Sequence, residues 1–258
     1  MHLVKNIVEK FWEVWYNMLD ISAKGLSYSQ LNEKLRLADG DCRINDCIGQ
    51  RFIAAGMKDR RIEINGIPGN ALGAYLAGAE ITVNGNAQDA VGDTMNDGSI
   101  VVHGNIGDTA GYAMRGGEIY VKGNAGYRAG IHIKEYKTKK PVLVIGGGTG
   151  SFLGEYQAGG LIIVLGLGLE KGRHIVGNFP CTGMHGGKLI LRSDASEIAF
   201  PHQTQKRAAT KEDIEEAAPF IKKFCGYFGF NADEMLNSDY TVITPDSKNP
   251  YKQMYVAN

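Results

Sequence analysis

Hydrophobic and polar positions along this chain recur with a period of 19 residues. One aliphatic track is Ile62, Ile81, Ile100 and Ile119, and a second is Ile64, Val83, Val102 and Val121. A third, Leu76, Met95, Met114 and Ile133, runs in step with them. Thr82 stands between Ile81 and Val83, so each unit holds a short strand whose alternate residues face opposite ways. Glycines keep the same phase: Gly66, Gly85, Gly104 and Gly123 form one series, and Gly73, Gly92, Gly111 and Gly130 another. After an insertion of five residues, Leu143, Ile145, Gly147 and Gly154 resume the pattern, and Ile162, Val164 and Gly166 continue it.

A period near 20 residues predicts a stacked solenoid. Nineteen residues cannot hold a strand, a crossover helix and two loops, and the fixed leucines of a leucine-rich repeat are absent. The predicted class is therefore mainly β: a right-handed parallel β-helix, a single-stranded solenoid of roughly seven or eight coils. At about 4.8 Å per coil the rod is about 35–40 Å long. In this reading Gly66, Gly73, Gly85, Gly92, Gly104, Gly111, Gly123, Gly130, Gly147 and Gly154 are structural. Each marks a turn with positive φ or a place too narrow for a side chain.

The flanks differ in pattern. Residues 1–39 read as a helical N-terminal cap, 40–195 as the β-helix, and 196–258 as a C-terminal helix and tail. Val4, Ile7, Val8, Phe11, Val14, Trp15 and Met18 form an amphipathic stripe, and Ser29 is the expected cap of a second helix, Gln30–Ala38. Thr210 and Asp213 resemble a capping box for a helix running to about Phe228. An irregular tail follows from Ser238 and carries Tyr251 and Tyr255. Both flanks are expected to cover the open ends of the solenoid, since an unpaired terminal coil is an adhesive strand edge.

Composition narrows the function classes. The 28 basic and 28 acidic residues cancel, so no global field points to nucleic acid or an anionic membrane. Four cysteines in 258 residues make no disulfide framework, and charges interrupt the apolar N-terminus, so a cytoplasmic location is expected.

The motifs mostly dissolve into the repeat. The run from Val142 to Gly154 looks like a dinucleotide-binding turn, but Ser151 or Leu153 falls where the third glycine is needed, and strand residues return at Leu161. Cys42 and Cys47 lack the further ligands of a zinc or iron–sulfur site and read as buried thiols. Asp89 and Asp108, with Asn86, Asn105 and Asn124, stack at the repeat period. That is either a calcium-binding ladder or, preferably, side chains capping backbone. His103 and His132 fall on ordinary coils and read as surface residues. Cys181 and His185 pose as a metal or nucleophile pair without a third partner. The basic insertion 134–140 breaks the period, and its Lys134, Tyr136, Lys137, Lys139 and Lys140 are the candidate partner contacts. No residue is assigned a catalytic, cofactor-binding or metal-binding role.

The repeats Gly-Asn-Ala-Gln-Asp-Ala-Val-Gly92 and Gly-Asn-Ile-Gly-Asp-Thr-Ala-Gly111 resemble the GXGXG domain of glutamate synthase. So do Leu31-Asn-Glu-Lys-Leu35, Ile48-Gly-Gln-Arg-Phe-Ile53, Gly-Tyr-Arg-Ala-Gly130, Phe152-Leu-Gly-Glu-Tyr156 and Gly183-Met-His-Gly-Gly187. The domain is the C-terminal β-helix of that enzyme's large polypeptide, and formylmethanofuran dehydrogenase has a similar β-helix among its subunits. The resemblance implies a β-helix that braces an amidotransferase domain and an FMN and iron–sulfur synthase domain without supplying catalytic residues. The chain begins Met1-His2, so the amidotransferase cysteine is absent, as is any flavin-binding segment. The expected role is thus a non-catalytic scaffold subunit of glutamate biosynthesis, with FMN and an iron–sulfur cluster in partner subunits. Homo-oligomerisation is compatible with it. The alternatives are the β-helix subunit of a formylmethanofuran dehydrogenase complex and a free-standing enzyme with a site near Cys181 and His185.

Overall fold

A computed structural model describes residues 18–170 and 172–247. The stripe from Val4 to Trp15 and the tail tyrosines lie outside the described residues. The chain forms a parallel β-solenoid. Strands β1 (Leu19–Ser22), β2 (Cys42–Ile48), β3 (Arg61–Ile67), β4 (Ala77–Val83) and β5 (Asp97–Val102) stack in chain order. β6 (Glu118–Val121), β7 (Val142–Ile145), β8 (Ala158–Val164) and β9 (Gly186–Leu191) continue the stack. The eight neighbouring pairs from β1 to β9 are all parallel.

The register turns the sequence tracks into physical ladders. Ile62, Ile81, Ile100, Ile119, Leu143, Ile162 and Leu189 face one another in turn. They point into the solenoid, where Ile64, Val83, Val102, Leu76, Met95 and Met114 join them, all fully or almost fully buried. The interior is thus filled by side chains. It holds the coils together through apolar burial worth about 1.5–3 kcal/mol per large side chain.

The N-terminal end differs from the expectation in two ways. Residues 19–22 form strand β1 rather than helix, since their backbone completes a parallel pair with Cys42–Asn45. The helix that follows, α1 (Tyr28–Leu37), is capped by Ser27, not Ser29. The Ser27 side chain accepts from the Gln30 backbone N–H while the Gln30 side chain reaches back to Ser27 N, a reciprocal box that Ser29 cannot form. Leu31 and Leu35 plug the end of the core. Asn32 Nδ2 donates to Arg51 O at 3.1 Å, and Arg60 Nη1 donates to Leu35 O at 2.8 Å. These contacts seat α1 on the first coils.

The C-terminal segment departs further. The end of the sheet is closed by strands rather than by a helix. β11 (Thr241–Pro245) pairs antiparallel with β9, and β10 (Thr204–Ala208) pairs with β11. The tail beyond Ser238 therefore includes a strand. Helix α2 (Lys211–Phe228) forms where expected, with Thr210 and Asp213 completing the capping box. It lies against the outer wall of the sheet instead of over the end. The reason is in the outward-facing ladder. Thr82 is followed by Val101, Tyr120, Val144, Ile163 and Ile190, which turn that face apolar from β5 onward. Ala217, Ile221, Phe224 and Phe228 of α2 cover it, with Met235 of the short helix α3 (Ala232–Leu236) in the same cluster. Before β5 the outer wall is polar. Asn84 Nδ2 donates to Asn65 Oδ1 at 2.9 Å, and Arg43 Nε donates to Glu63 Oε2 at 2.8 Å.

Charged residues fasten α2. Lys188 Nζ on β9 donates to Asp213 at 2.8 Å and to Glu216 at 2.7 Å, and Arg207 on β10 also holds Asp213. The Arg207 guanidinium keeps the buried Asp213 carboxyl far below the usual carboxylate range, against the opposing effect of burial. A carboxyl depressed on folding contributes stability above its unfolded pKa, about 4, and that stability is lost as pH falls toward the folded value. Thermal unfolding measured from pH 7 downward is expected to show a midpoint that declines on acidification below about pH 5. In Asp213→Asn the decline is expected to be shallower, with a cost of about 2 kcal/mol at neutral pH. An identical acid slope in the variant would remove Asp213 as its source.

Candidate functional site

Between successive strands, each coil is closed by two overlapping four-residue turns. Met95 N–H donates to Gly92 O and Asp93 N–H to Ala90 O, and in each turn the third residue is left-handed: Thr94 and Gly92. The pattern recurs in neighbouring coils, giving three left-handed residues per coil at alternate positions, such as Thr109, Gly111 and Ala113. The central one faces inward. A Cβ at Gly92 would lie 2.5 Å from Ile119 Cδ1, and one at Gly130 would lie 2.5 Å from Ile162 Cδ1. At Gly111 it would have ordinary contacts, 3.8 Å or more away. So the glycines at 73, 92 and 130 keep room for the core ladder as well as accepting the left-handed backbone, and at Gly154 the close neighbour is Gln157 Oε1, 3.1 Å from an added Cβ. Ala54 and Cys181 take the same left-handed role in the terminal coils.

Gly85, Gly104, Gly123 and Gly147 serve a different need: close approach between coils. A Cβ at Gly104 would lie 2.3 Å from Asn86 Oδ1, and one at Gly123 equally close to Asn105 Oδ1. Those amides are occupied. Asn86 Oδ1 accepts from Asn105 N, Asn105 Oδ1 from Asn124 N and Asn124 Oδ1 from Gly148 N, each at 2.8 Å. Asp89 and Asp108 do the same for Asp108 N at 2.9 Å and Tyr127 N at 2.8 Å. Both ladders therefore tie each coil's backbone to the one before it. Among the described residues no group of three or more acidic, His or Cys side chains could hold a metal ion.

The structure separates Cys181 from any reaction at the surface. It is fully buried in the solenoid core, and burial pushes its thiol far above the usual range. His185 hydrogen-bonds through Nδ1 to Gly183 O at 3.0 Å. Cys42, Cys47 and Cys225 are buried free thiols as well, that of Cys47 pushed up to about 11 by burial. Residues 142–150 form β7 and its following turn, with strand β8 resuming at Ala158.

The insertion 134–140 is a small hairpin rather than a free loop, closed by an antiparallel bridge between Tyr136 and Lys139. Two of the candidate contacts are used inside the chain. Lys139 Nζ donates to Asp97 Oδ2 at 2.7 Å and to Asn96 O at 3.1 Å, and Lys140 pairs with Glu216 of α2. Lys134, Tyr136 and Lys137 remain exposed, with the Lys137 ammonium 5.3 Å from the Tyr136 ring centre.

What the sequence pattern missed is an aromatic surface on the turn wall. The outward left-handed positions of the last coils carry large side chains: Arg128 and His132, Phe152 and Tyr156, then Phe179. Corresponding positions in the two middle coils hold Ala90 and Thr94, then Thr109 and Ala113, while Phe52 and Tyr75 stand singly nearer the N-terminus. The rings stack: His132 on Tyr156 at 5.0 Å, Phe152 on Phe179 at 5.3 Å, with the Arg128 guanidinium 4.7 Å from the Phe152 ring centre. Tyr112 meets His132 edge-on at 6.0 Å. The signal lay two residues either side of the phased glycine, at positions where no apolar ladder draws the eye.

Comparison with known proteins agrees with this geometry. The GXGXG motif family matches residues 38–247. An uncharacterized protein of Methanocaldococcus jannaschii is 45% identical over 249 residues, covering 91% of this chain and 95% of that protein. Among solved structures, a chain of the formyltransferase/hydrolase complex of Methylorubrum extorquens, determined with methylofuran, superposes with a TM-score of 0.59. At 18% identity, covering 86% of this chain and 88% of that one, it shares the fold. By the repeat, the ladders it builds and the extent of the family match, the chain belongs to the GXGXG motif family.

Proposed function

We propose that this chain is a non-catalytic scaffold subunit, bracing separate amidotransferase and synthase subunits of a glutamate synthase. The observation that carries the reading is how its polar and sulfur-bearing side chains are used. The Asn and Asp ladders are engaged by backbone N–H groups of the next coil, and the thiols are buried in packed cores. Such a solenoid offers a rigid surface and little chemistry of its own. The resemblance supports the particular complex. Two of the motifs that carry it, Leu31–Leu35 and Ile48–Ile53, meet in the structure through Asn32 Nδ2 donating to Arg51 O, and the N–H of Ala54, just after the second motif, donates to Asn32 Oδ1. FMN and the iron–sulfur cluster belong, in this reading, to the synthase partner.

A second reading, the β-helix subunit of a formylmethanofuran dehydrogenase complex, is favoured by the solved structural neighbour, a chain of a formyltransferase/hydrolase complex. Affinity purification of the tagged chain from its native cells separates the two. The first expects polypeptides with amidotransferase activity and bound FMN to co-purify stoichiometrically. The second expects a molybdenum- or tungsten-containing partner instead. Recovery of the chain alone, at native abundance and low salt, would sink the scaffold role.

A further inference from the structure

The aromatic surface on the turn wall is built before any partner arrives. Each ring is fixed by a neighbour one coil away, and the coils beneath are tied by the Asn and Asp ladders. The Tyr156 ring also rests on Gly183, where an added Cβ would lie 2.4 Å from Tyr156 Cδ1. Despite this order the side chains face solvent: Phe179 is 62% exposed, Tyr156 44% and Tyr112 40%. Rigid, exposed Tyr, Phe and Arg side chains are the residue types that dominate binding energy at protein interfaces, because little conformational entropy is lost when they are covered.

Two cations beside this surface have no carboxylate partner. Arg115 follows Tyr112 by three residues, and Lys134 follows His132 by two. They sit one coil apart, with Arg115 N–H donating to Met95 O and Lys134 N–H to Met114 O. Both are exposed, and neither has an ion pair among the described residues. The acids nearby are engaged within the chain: Glu155 by Arg128 at 3.0 Å, Asp108 by the Tyr127 backbone N–H, Glu135 by the Gly160 backbone N–H at 3.0 Å and Asp93 by the Thr94 hydroxyl at 2.8 Å. On a chain with no net charge, the uncompensated cations beside the rings define the complement.

We propose that this surface, from Tyr112 and His132 across to Phe152, Tyr156 and Phe179, docks an acidic segment of a partner polypeptide. Aromatic side chains of that segment cover the rings, and its carboxylates meet Arg115, Lys134 and Lys137. The inference rests on the scaffold reading and assigns it a surface and a partner chemistry.

The test uses the native complex, purified through tagged wild-type chain, tagged Tyr156→Ala/Phe179→Ala and tagged Lys134→Glu. Each variant is first shown to keep the wild-type melting temperature. Tyr75→Ala, at the equivalent outward turn position on a coil nearer the N-terminus, serves as the control. Both variants are expected to retain partner polypeptides roughly 10-fold less, as loss of a binding hot spot implies. The control should match wild type. A carbodiimide, which joins an amine directly to a carboxylate, should link Lys134 or Lys137 to an Asp or Glu of the partner. Unchanged retention in both variants, or cross-links running only to a second copy of this chain, would overturn the proposal while leaving the scaffold role standing. A wild-type chain that captures no partner fails both.

Discussion

Gly98→Val is expected to lower the thermal midpoint by roughly 10 °C or to prevent accumulation of folded chain. Gly98 is the second residue of β5, with φ +92°, and a Cβ there would lie 2.2 Å from Ala79 O and 2.9 Å from Gly78 C. Both obstacles are backbone, and Ala79 belongs to the neighbouring strand β4, so no flexible side chain can move aside. The left-handed backbone costs a branched residue about 1–2 kcal/mol. Overpacking against an immovable carbonyl costs about 1–3 kcal/mol more. Gly111→Ala is the internal control. Its φ is +68°, but the added carbon finds ordinary contacts at 3.8 Å, so only the conformational cost of about 1 kcal/mol remains. Melting curves by circular dichroism decide the matter. Equal losses in the two variants would mean that close approach between coils does not set the glycine pattern.

The second large effect is expected for Phe224→Ala, at about 3–5 kcal/mol. Phe224 is fully buried between α2 and the outer wall of the sheet. Its ring meets Phe228 at 4.8 Å and Phe230 at 5.7 Å, and it lies against Gly146, where an added Cβ would be 2.7 Å from Phe224 Cζ. Truncation removes the contact that three elements share and leaves a cavity over Tyr120, Val144 and Ile163. Loosened α2 should then expose that apolar wall. The variant should bind a hydrophobic dye at temperatures where the wild type does not, and proteolysis within 211–228 should quicken. A midpoint within about 2 °C of wild type would show that α2 is docked mainly by its ion pairs instead.

These two positions differ in how far they could be read beforehand. The phase of Ile62 to Ile119 and of the paired glycine series made the parallel solenoid and its coil length legible, because every coil repeats the same local constraints. Thr210 and Asp213 likewise announced α2, since a capping box is written within four residues. Where α2 would sit was not written locally. The apolar residues Val101, Tyr120, Val144 and Ile163 alternate with the core ladder, and only the pairing of strands shows that they form one continuous wall. The hairpin 134–140 shows in the sequence as a break in the period, yet only the fold shows Lys139 and Lys140 paired with Asp97 and Glu216 of the same chain. The aromatic surface was hidden for a related reason. Its residues lie 24 or 27 positions apart, after insertions have disturbed the period, and the turn places them side by side.

By itself, then, the sequence determined the repeating coil, the inward apolar ladders and the glycine positions, all consequences of short-range geometry repeated at a constant interval. The tertiary structure alone decided that the outer wall is covered by α2, that the last edge is closed by antiparallel β11 and β10, and which side chains stay exposed. Those outcomes depend on contacts between residues as far apart as Glu118 and Lys223, which meet at 2.8 Å and whose proximity no local pattern encodes.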